Sequence, residues 1–182
     1  MVLLVIDTQK LITNDRLYRF PVFVENVRRL TACARENDIE VIYIRHDDGE
    51  GQALTKGTDG YEIYEEFAPA PEEKIFDKCA NSPFKDTGLL SYLLAKGEKR
   101  LVITGLQTDY CIDAAVKCGF EHGFEIVVPA FANTTVDNDY MTAEKTYEYY
   151  NRFLWPERYA SCIPVDEAVE MLSNCKLKIK NG

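Results

Sequence analysis

The chain alternates between two hydrophobic patterns. Short, nearly continuous apolar runs are each followed by longer segments in which apolar residues recur every three or four positions. Val2 to Ile6, Ile39 to Ile44, Glu73 to Phe76, Arg100 to Thr104, Glu125 to Val128 and Cys162–Ile163 are the short runs. Runs of this length without polar alternation predict strands covered on both faces, as in a parallel sheet. Pro21 to Asn37, Thr87 to Lys96, Tyr110 to about Gly119, Asp139 to about Phe153 and Val165 to Leu172 are the helical segments. Their apolar faces carry Val24, Val27, Leu30, Thr31 and Ala34 in the first, Leu89, Leu90, Leu93 and Leu94 in the second, and Ala168, Val169 and Leu172 in the last. Strands alternating with helices imply right-handed crossovers, a parallel sheet and helices on both of its faces. The expected fold is α/β, a three-layer α/β/α sandwich about a six-stranded parallel sheet. The first run is the most uniformly apolar and is expected at the centre, which gives the order 3-2-1-4-5-6.

Two tracts depart from the alternation. Residues 130–138 read as a polar loop. Residues 49–71 hold glycines at 49, 51, 57 and 60, acids at Glu62, Glu65 and Glu66, and apolar anchors at Tyr61, Ile63, Tyr64 and Phe67. A tract this long predicts a lid, an interface, or an excursion packed by its own aromatics.

Composition narrows the class. With 182 residues and 46% hydrophobic content, the chain is expected to form a single domain over residues 1–182. A formal charge of −9 argues against nucleic acid, whose phosphates need clustered Lys and Arg, and against anionic membrane surfaces. No apolar run approaches the roughly 20 residues of a membrane helix. Met1 runs directly into the first strand without a basic flank, so no signal peptide is expected and the location is expected to be cytoplasmic. The six cysteines, at 33, 79, 111, 118, 162 and 175, form no CxxC pair and no zinc spacing, so most are expected to be small buried hydrophobes. Cys111 and Cys118 do not suit a disulfide. On one helix they are separated by a rise of about 10.5 Å, beyond the Cα reach of about 7 Å.

Candidate chemistry gathers where a parallel sheet places its ligands, at the carboxyl ends of the strands. Asp7 follows the first run, Arg45, His46 and Asp47 the second, and Lys78 the third. Cys111 follows the fourth, through the turn Thr104-Gly105-Leu106-Gln107. Near a helix N-terminus, unpaired N–H groups and the helix dipole favour a thiolate. A thiol beside a carboxylate and an ammonium makes a nucleophilic site. Each residue alone has an ordinary reading: a loop carboxylate bonded to backbone, a solvated lysine, a core cysteine. It is the joint placement that points to chemistry.

VIDTQ at 5–9, Lys78 with the SPF that follows at 82–84, and TGLQTDYCIDAA at 104–115 resemble the isochorismatase-like cysteine hydrolases, in the same order and at comparable spacing over nearly the whole chain. The resemblance implies the three-layer sandwich and an Asp7–Lys78–Cys111 catalytic triad. It implies a cis peptide at Leu106–Gln107 and an oxyanion hole formed by the backbone N–H groups of Gln107 and Cys111. It further implies cleavage of an amide-type C–N bond in a small molecule, and assembly as a homodimer or homotetramer. Nicotinamidases of that family bind a metal through an aspartate and several histidines after the second strand. This chain has only His46 and His122, so no metal and no cofactor are expected. True isochorismatases cleave a vinyl ether and lack the nucleophilic cysteine, so Cys111 argues against that activity.

Gln9, Arg45, His46, Asp47, Phe84 and Tyr110 are placed to contact a substrate. A backbone bond for Gln9, an Arg45–Asp47 pair, and core packing for Phe84 or Tyr110 are the ordinary alternatives. Three other functions compete. A nucleotide- or flavin-binding module would need a phosphate loop, and neither GxGxxG nor GxxxxGK[ST] is present. A thiol-redox protein would use Cys111 without a CxxC partner. The third is a catalytically silent interaction protein on the same fold.

Overall fold

The structure, a computed structural model, describes residues 1–174; Cys175, one of the six cysteines, lies outside the described residues. Strand β1 (Val2–Ile6) leads to helix α1 (Phe20–Glu36), β2 (Glu40–His46), β3 (Lys74–Lys78) and α2 (Leu89–Ala95). The second half runs β4 (Arg100–Leu106), α3 (Asp113–Glu121), β5 (Glu125–Pro129), β6 (Asn133–Thr134), α4 (Ala143–Glu148), β7 (Ser161–Ile163) and α5 (Val165–Ser173). The sheet order is β3-β2-β1-β4-β5-β7, and every pairing is parallel. The expected order is therefore found, with β7 as the expected sixth strand. One strand is added: Asn133–Thr134, within the tract read as loop, pairs with the end of β4 at Gly105 and Leu106.

Burial explains why β1 is central. All five of its residues are fully buried, because alternate side chains enter different layers. Val2, Leu4 and Ile6 pack with Leu89 and Leu93 of α2 and with Ala115 and Val116 of α3. Leu3 and Val5 pack with Val27, Leu30 and Ala34 of α1 and with Ala168 and Leu172 of α5. Pro21 sits in the first turn of α1, where its missing N–H costs nothing. In α2 only part of the expected apolar face is inward: Leu89 and Leu93 are buried, and Leu94 is exposed.

The tract 49–71 is an excursion held down by its own side chains. Tyr61, Ile63 and Phe67 are buried, and Phe67 meets Phe23 of α1 edge to face. Its backbone pairs antiparallel with the segment after β1. Lys10 N–H donates to Glu62 O at 2.8 Å, Tyr64 N–H to Thr8 O at 2.8 Å, and Gln9 bridges Ile63.

Two helical expectations need correction. The segment expected as one helix from Asp139 to Phe153 begins at Ala143 and passes into a wider π-helical turn at Tyr149–Leu154. The segment after β4 opens with another π-helical turn, Thr108–Ile112, before α3. Apolar spacing of three to four residues does not distinguish an α-helix from a helix carrying one wide turn, so periodicity missed both.

Candidate active site

β1, β2, β3 and β4 deliver their last residues to one edge of the sheet. Register does much of the positioning. Ile6 lies between Ile44 and Gly105, and His46 is the register partner of Lys78. Asp7 leaves β1 with φ of 53°, in the left-handed region that Asp tolerates better than most residues, while its N–H still donates to Ile44 O at 2.9 Å. Its carboxylate is thereby turned toward β3. Gly105 carries φ of 123°, and a Cβ there would lie 2.0 Å from Ile6 O, so only glycine admits this approach of β4 to β1. The peptide Leu106–Gln107 is cis. The Gln107 carbonyl accepts from the N–H groups of Tyr110 and Ile112, both at 3.1 Å, which closes the turn that presents Cys111.

Lys78 is the hub of the site, and its side chain is fully buried. Nζ lies 2.7 Å from Asp7 Oδ2, 3.2 Å from Cys111 Sγ and 2.9 Å from His46 Nδ1. An ammonium has three N–H donors and no acceptor, so these three contacts use all of them. His46 then accepts at Nδ1 and presents Nε2 to Asp48 Oδ1 at 3.1 Å. Asp7 Oδ1 is buried and holds no hydrogen bond, so one carboxylate oxygen is still open to take a proton.

Burial raises the proton affinity of both acids. Desolvation pushes the Asp7 carboxyl above the ordinary carboxylate range, against the opposing pull of Lys78. Desolvation, reinforced by the Asp7 charge, pushes the Cys111 thiol up to about 12. This corrects the expectation of a resting thiolate. Cys111 is the fourth residue of its π-helical turn and sits against the core, so loss of water outweighs the helix terminus and Lys78. At rest the Cys111 sulfur is held as a thiol, and ionising it calls for a base.

The donor set Asp7, His46 and Cys111 has one oxygen, one nitrogen and one sulfur within 4.8 Å of one another. Lys78 Nζ is within hydrogen-bonding distance of all three residues, so an ammonium already takes the place a metal would need. These residues do not fit a metal centre.

The other expected contacts divide. The Gln9 amide is spent on the His46 backbone, donating to its O at 2.9 Å and accepting from its N–H at 2.8 Å. Arg45 bonds Asp77 at 2.9 Å and Glu62 at 3.0 Å, rather than Asp47, and lies over the Tyr61 ring. Asp47 Oδ1 accepts from Gly49 N–H at 2.9 Å and shapes the loop. Phe84 stacks on Phe124 in the core. Tyr110 is half exposed beside Cys111. Sequence reasoning passed over Asn81, an exposed residue whose Oδ1 lies 3.8 Å from Cys111 Sγ. Its signal was position alone, three residues beyond Lys78 at the same sheet edge.

Known proteins resemble the chain in sequence and in fold. The isochorismatase domain model matches residues 1–156. The chain is 28% identical over 137 residues to the streptothricin hydrolase of Streptomyces noursei, covering 74% of this chain and 50% of that protein. It is 29% identical over 106 residues to the ureidoacrylate amidohydrolase of Agrobacterium fabrum, covering 58% and 46%. It thus spans about half the length of these curated relatives. In fold it matches a cysteine hydrolase from Pseudomonas syringae pv. phaseolicola with a TM-score of 0.87 at 19% identity, covering 95% of this chain and 92% of that one.

Proposed function

Since the chain belongs to the isochorismatase family, we propose that it is a cysteine hydrolase that cleaves an amide-type C–N bond of a small molecule. The observation that carries the reading is the buried Lys78 ammonium, held at once by Asp7 Oδ2 and Cys111 Sγ. Relatives named for hydrolysis of streptothricin and ureidoacrylate support the bond type.

The reaction follows from the order of proton affinities. The Cys111 thiol does not ionise alone, so Asp7 takes its proton through the open Oδ1 as sulfur attacks the carbonyl carbon. The Gln107 and Cys111 N–H groups receive the developing oxyanion. Collapse breaks the C–N bond, and Asp7 gives its proton to the leaving nitrogen. Water, deprotonated by Asp7, then cleaves the thioester, and the proton returns to sulfur. Lys78 keeps its charge throughout and offsets whichever of Asp7 and Cys111 is anionic. Asn81 and Tyr110 are the side chains we assign to the mouth, where they meet the substrate. A reducing, cytoplasmic location suits a free thiol nucleophile.

The test is ammonia or amine release from a panel of small amides and ureido compounds. Wild type should turn over at least one member. Cys111→Ala should lower that rate by about a thousandfold or more, as loss of a nucleophile does. A chelator should leave the rate unchanged. Hydrolysis that survives Cys111→Ala would sink the reading.

A further inference from the structure

The two π-helical turns face each other across β6. Thr108 opens the turn that carries Cys111, and its hydroxyl donates to Asn133 Oδ1 at 2.8 Å. Asn133 lies on β6, and its amide pairs reciprocally with Asn151 in the second turn. Asn133 Nδ2 donates to Asn151 Oδ1 at 2.8 Å, and Asn151 Nδ2 donates to Asn133 Oδ1 at 3.1 Å. Asn151 also donates to Tyr147 O at 3.0 Å. All three side chains are buried. Next along the nucleophile turn, Asp109 Oδ1 accepts from Thr135 Oγ1 at 2.6 Å. Past its end, Asp113 Oδ1 accepts from Trp155 Nε1 at 2.9 Å, and Trp155 directly follows the second π turn.

We infer that Thr108, Asn133 and Asn151 are positioning residues for Cys111, and that the second π-helical turn serves to aim Asn151 at them. None touches a reacting atom. A wide turn inserts one residue into a helix and shifts the register of all that follows, a device common at functional sites. Here the inserted residue sets where Asn151 meets Asn133, the partner of Thr108, and where Trp155 meets Asp113, just past the other end of the nucleophile turn. Buried and satisfied amide networks specify one arrangement, because every alternative leaves a polar group unpaired in a dry interior. The arrangement specified is the one in which Sγ meets Lys78 Nζ at 3.2 Å beside Asp7.

The inference rests on Cys111 being the nucleophile, and the experiment separates the two. Thr108→Val keeps the shape and removes the hydroxyl; Thr108→Ser keeps the hydroxyl; Asn151→Leu breaks the amide pair. For each, the kinetics of the best amide in the panel and the rate of Cys111 alkylation by iodoacetamide are measured, with circular dichroism and the thermal midpoint as folding controls. Thr108→Val and Asn151→Leu should lower kcat about tenfold or more with KM nearly unchanged, as expected when a reacting group is slightly misplaced. Both should also change the alkylation rate, and Thr108→Ser should recover wild-type kinetics. Folded Thr108→Val or Asn151→Leu with wild-type kcat overturns the inference, as does Thr108→Ser falling as far as Thr108→Val. If one of the two disruptive variants does not fold, the other carries the test. Activity persisting in Cys111→Ala would instead remove the nucleophile reading beneath it.

Discussion

At Lys78 one side chain answers three acceptors, and its removal has a calculable cost. Lys78→Met would leave the Asp7 carboxylate buried and unpaired, so unfolding stability should fall by roughly 3–5 kcal/mol. Adding Asp7→Asn to that variant should restore part of the loss, and denaturant titration of both measures it. Cys111 makes a second prediction, on pH. Its thiol is pushed up to about 12, so its alkylation by iodoacetamide should keep rising with pH through the range where an ordinary thiol levels off. A plateau near neutral pH would indicate a resting thiolate instead. The sign on stability is fixed too. The folded state holds this proton where the unfolded state has lost it, so stability falls as pH climbs above the ordinary thiol range, and Cys111→Ala should lack that loss. At this scale the convergence of Asp7, Lys78 and Cys111 was legible because a parallel sheet brings the ends of β1, β3 and β4, and the turn after β4, to one edge. The roles of Gln9, Arg45 and Asp47 were not, because a polar residue at a strand end looks the same whether it faces a substrate or its own backbone.

Among the elements, the strands were easiest to read and the connections hardest. β1 announces itself by an unbroken apolar run and β4 by the apolar Leu101 to Ile103, whereas β6 has two residues, Asn133 and Thr134, and no pattern to read. Its existence depends on the end of β4, to which it pairs through Gly105 and Leu106. The tract 49–71 shows the same asymmetry. Its anchors Tyr61 and Phe67 stand out in the sequence, but their partners do not: the pairing with residues 8–11 joins two segments without strand periodicity. Anchorage of this kind predicts stability. Phe67→Ala should cost about 3–5 kcal/mol, as large core deletions do, and should make amides across Thr8 to Lys10 exchange faster with solvent. An unchanged unfolding midpoint would mean that the tract rests on the domain without holding it.

Over the whole molecule, alternation gave the layers, and the uniformly apolar first run, placed at the centre, gave the strand order, because a parallel sheet admits few connections. The surface was less legible, since amphipathic patterning does not say which apolar residues are left outside. Tyr110, Tyr149 and Phe153 are exposed, and Tyr149 and Phe153 touch, with ring centroids 5.4 Å apart. A touching pair of exposed aromatics is the kind of surface that an interface covers. We expect the chain to self-associate, so that light scattering gives a multiple of 20.8 kDa, and Phe153→Glu to shift it toward that mass. A wild-type mass of one chain would dismiss the assembly. Among the described residues no helix is long and apolar enough to cross a membrane.

The close approach at Gly105 has a consequence for reading mutational scans. A methyl group there would meet Ile6 O at 2.0 Å, so β4 would have to move away from the strand that carries Asp7. An activity screen would then rank this inert position beside the reacting ones. Intolerance to change, in this fold, marks where two backbones nearly touch as readily as where a bond is broken.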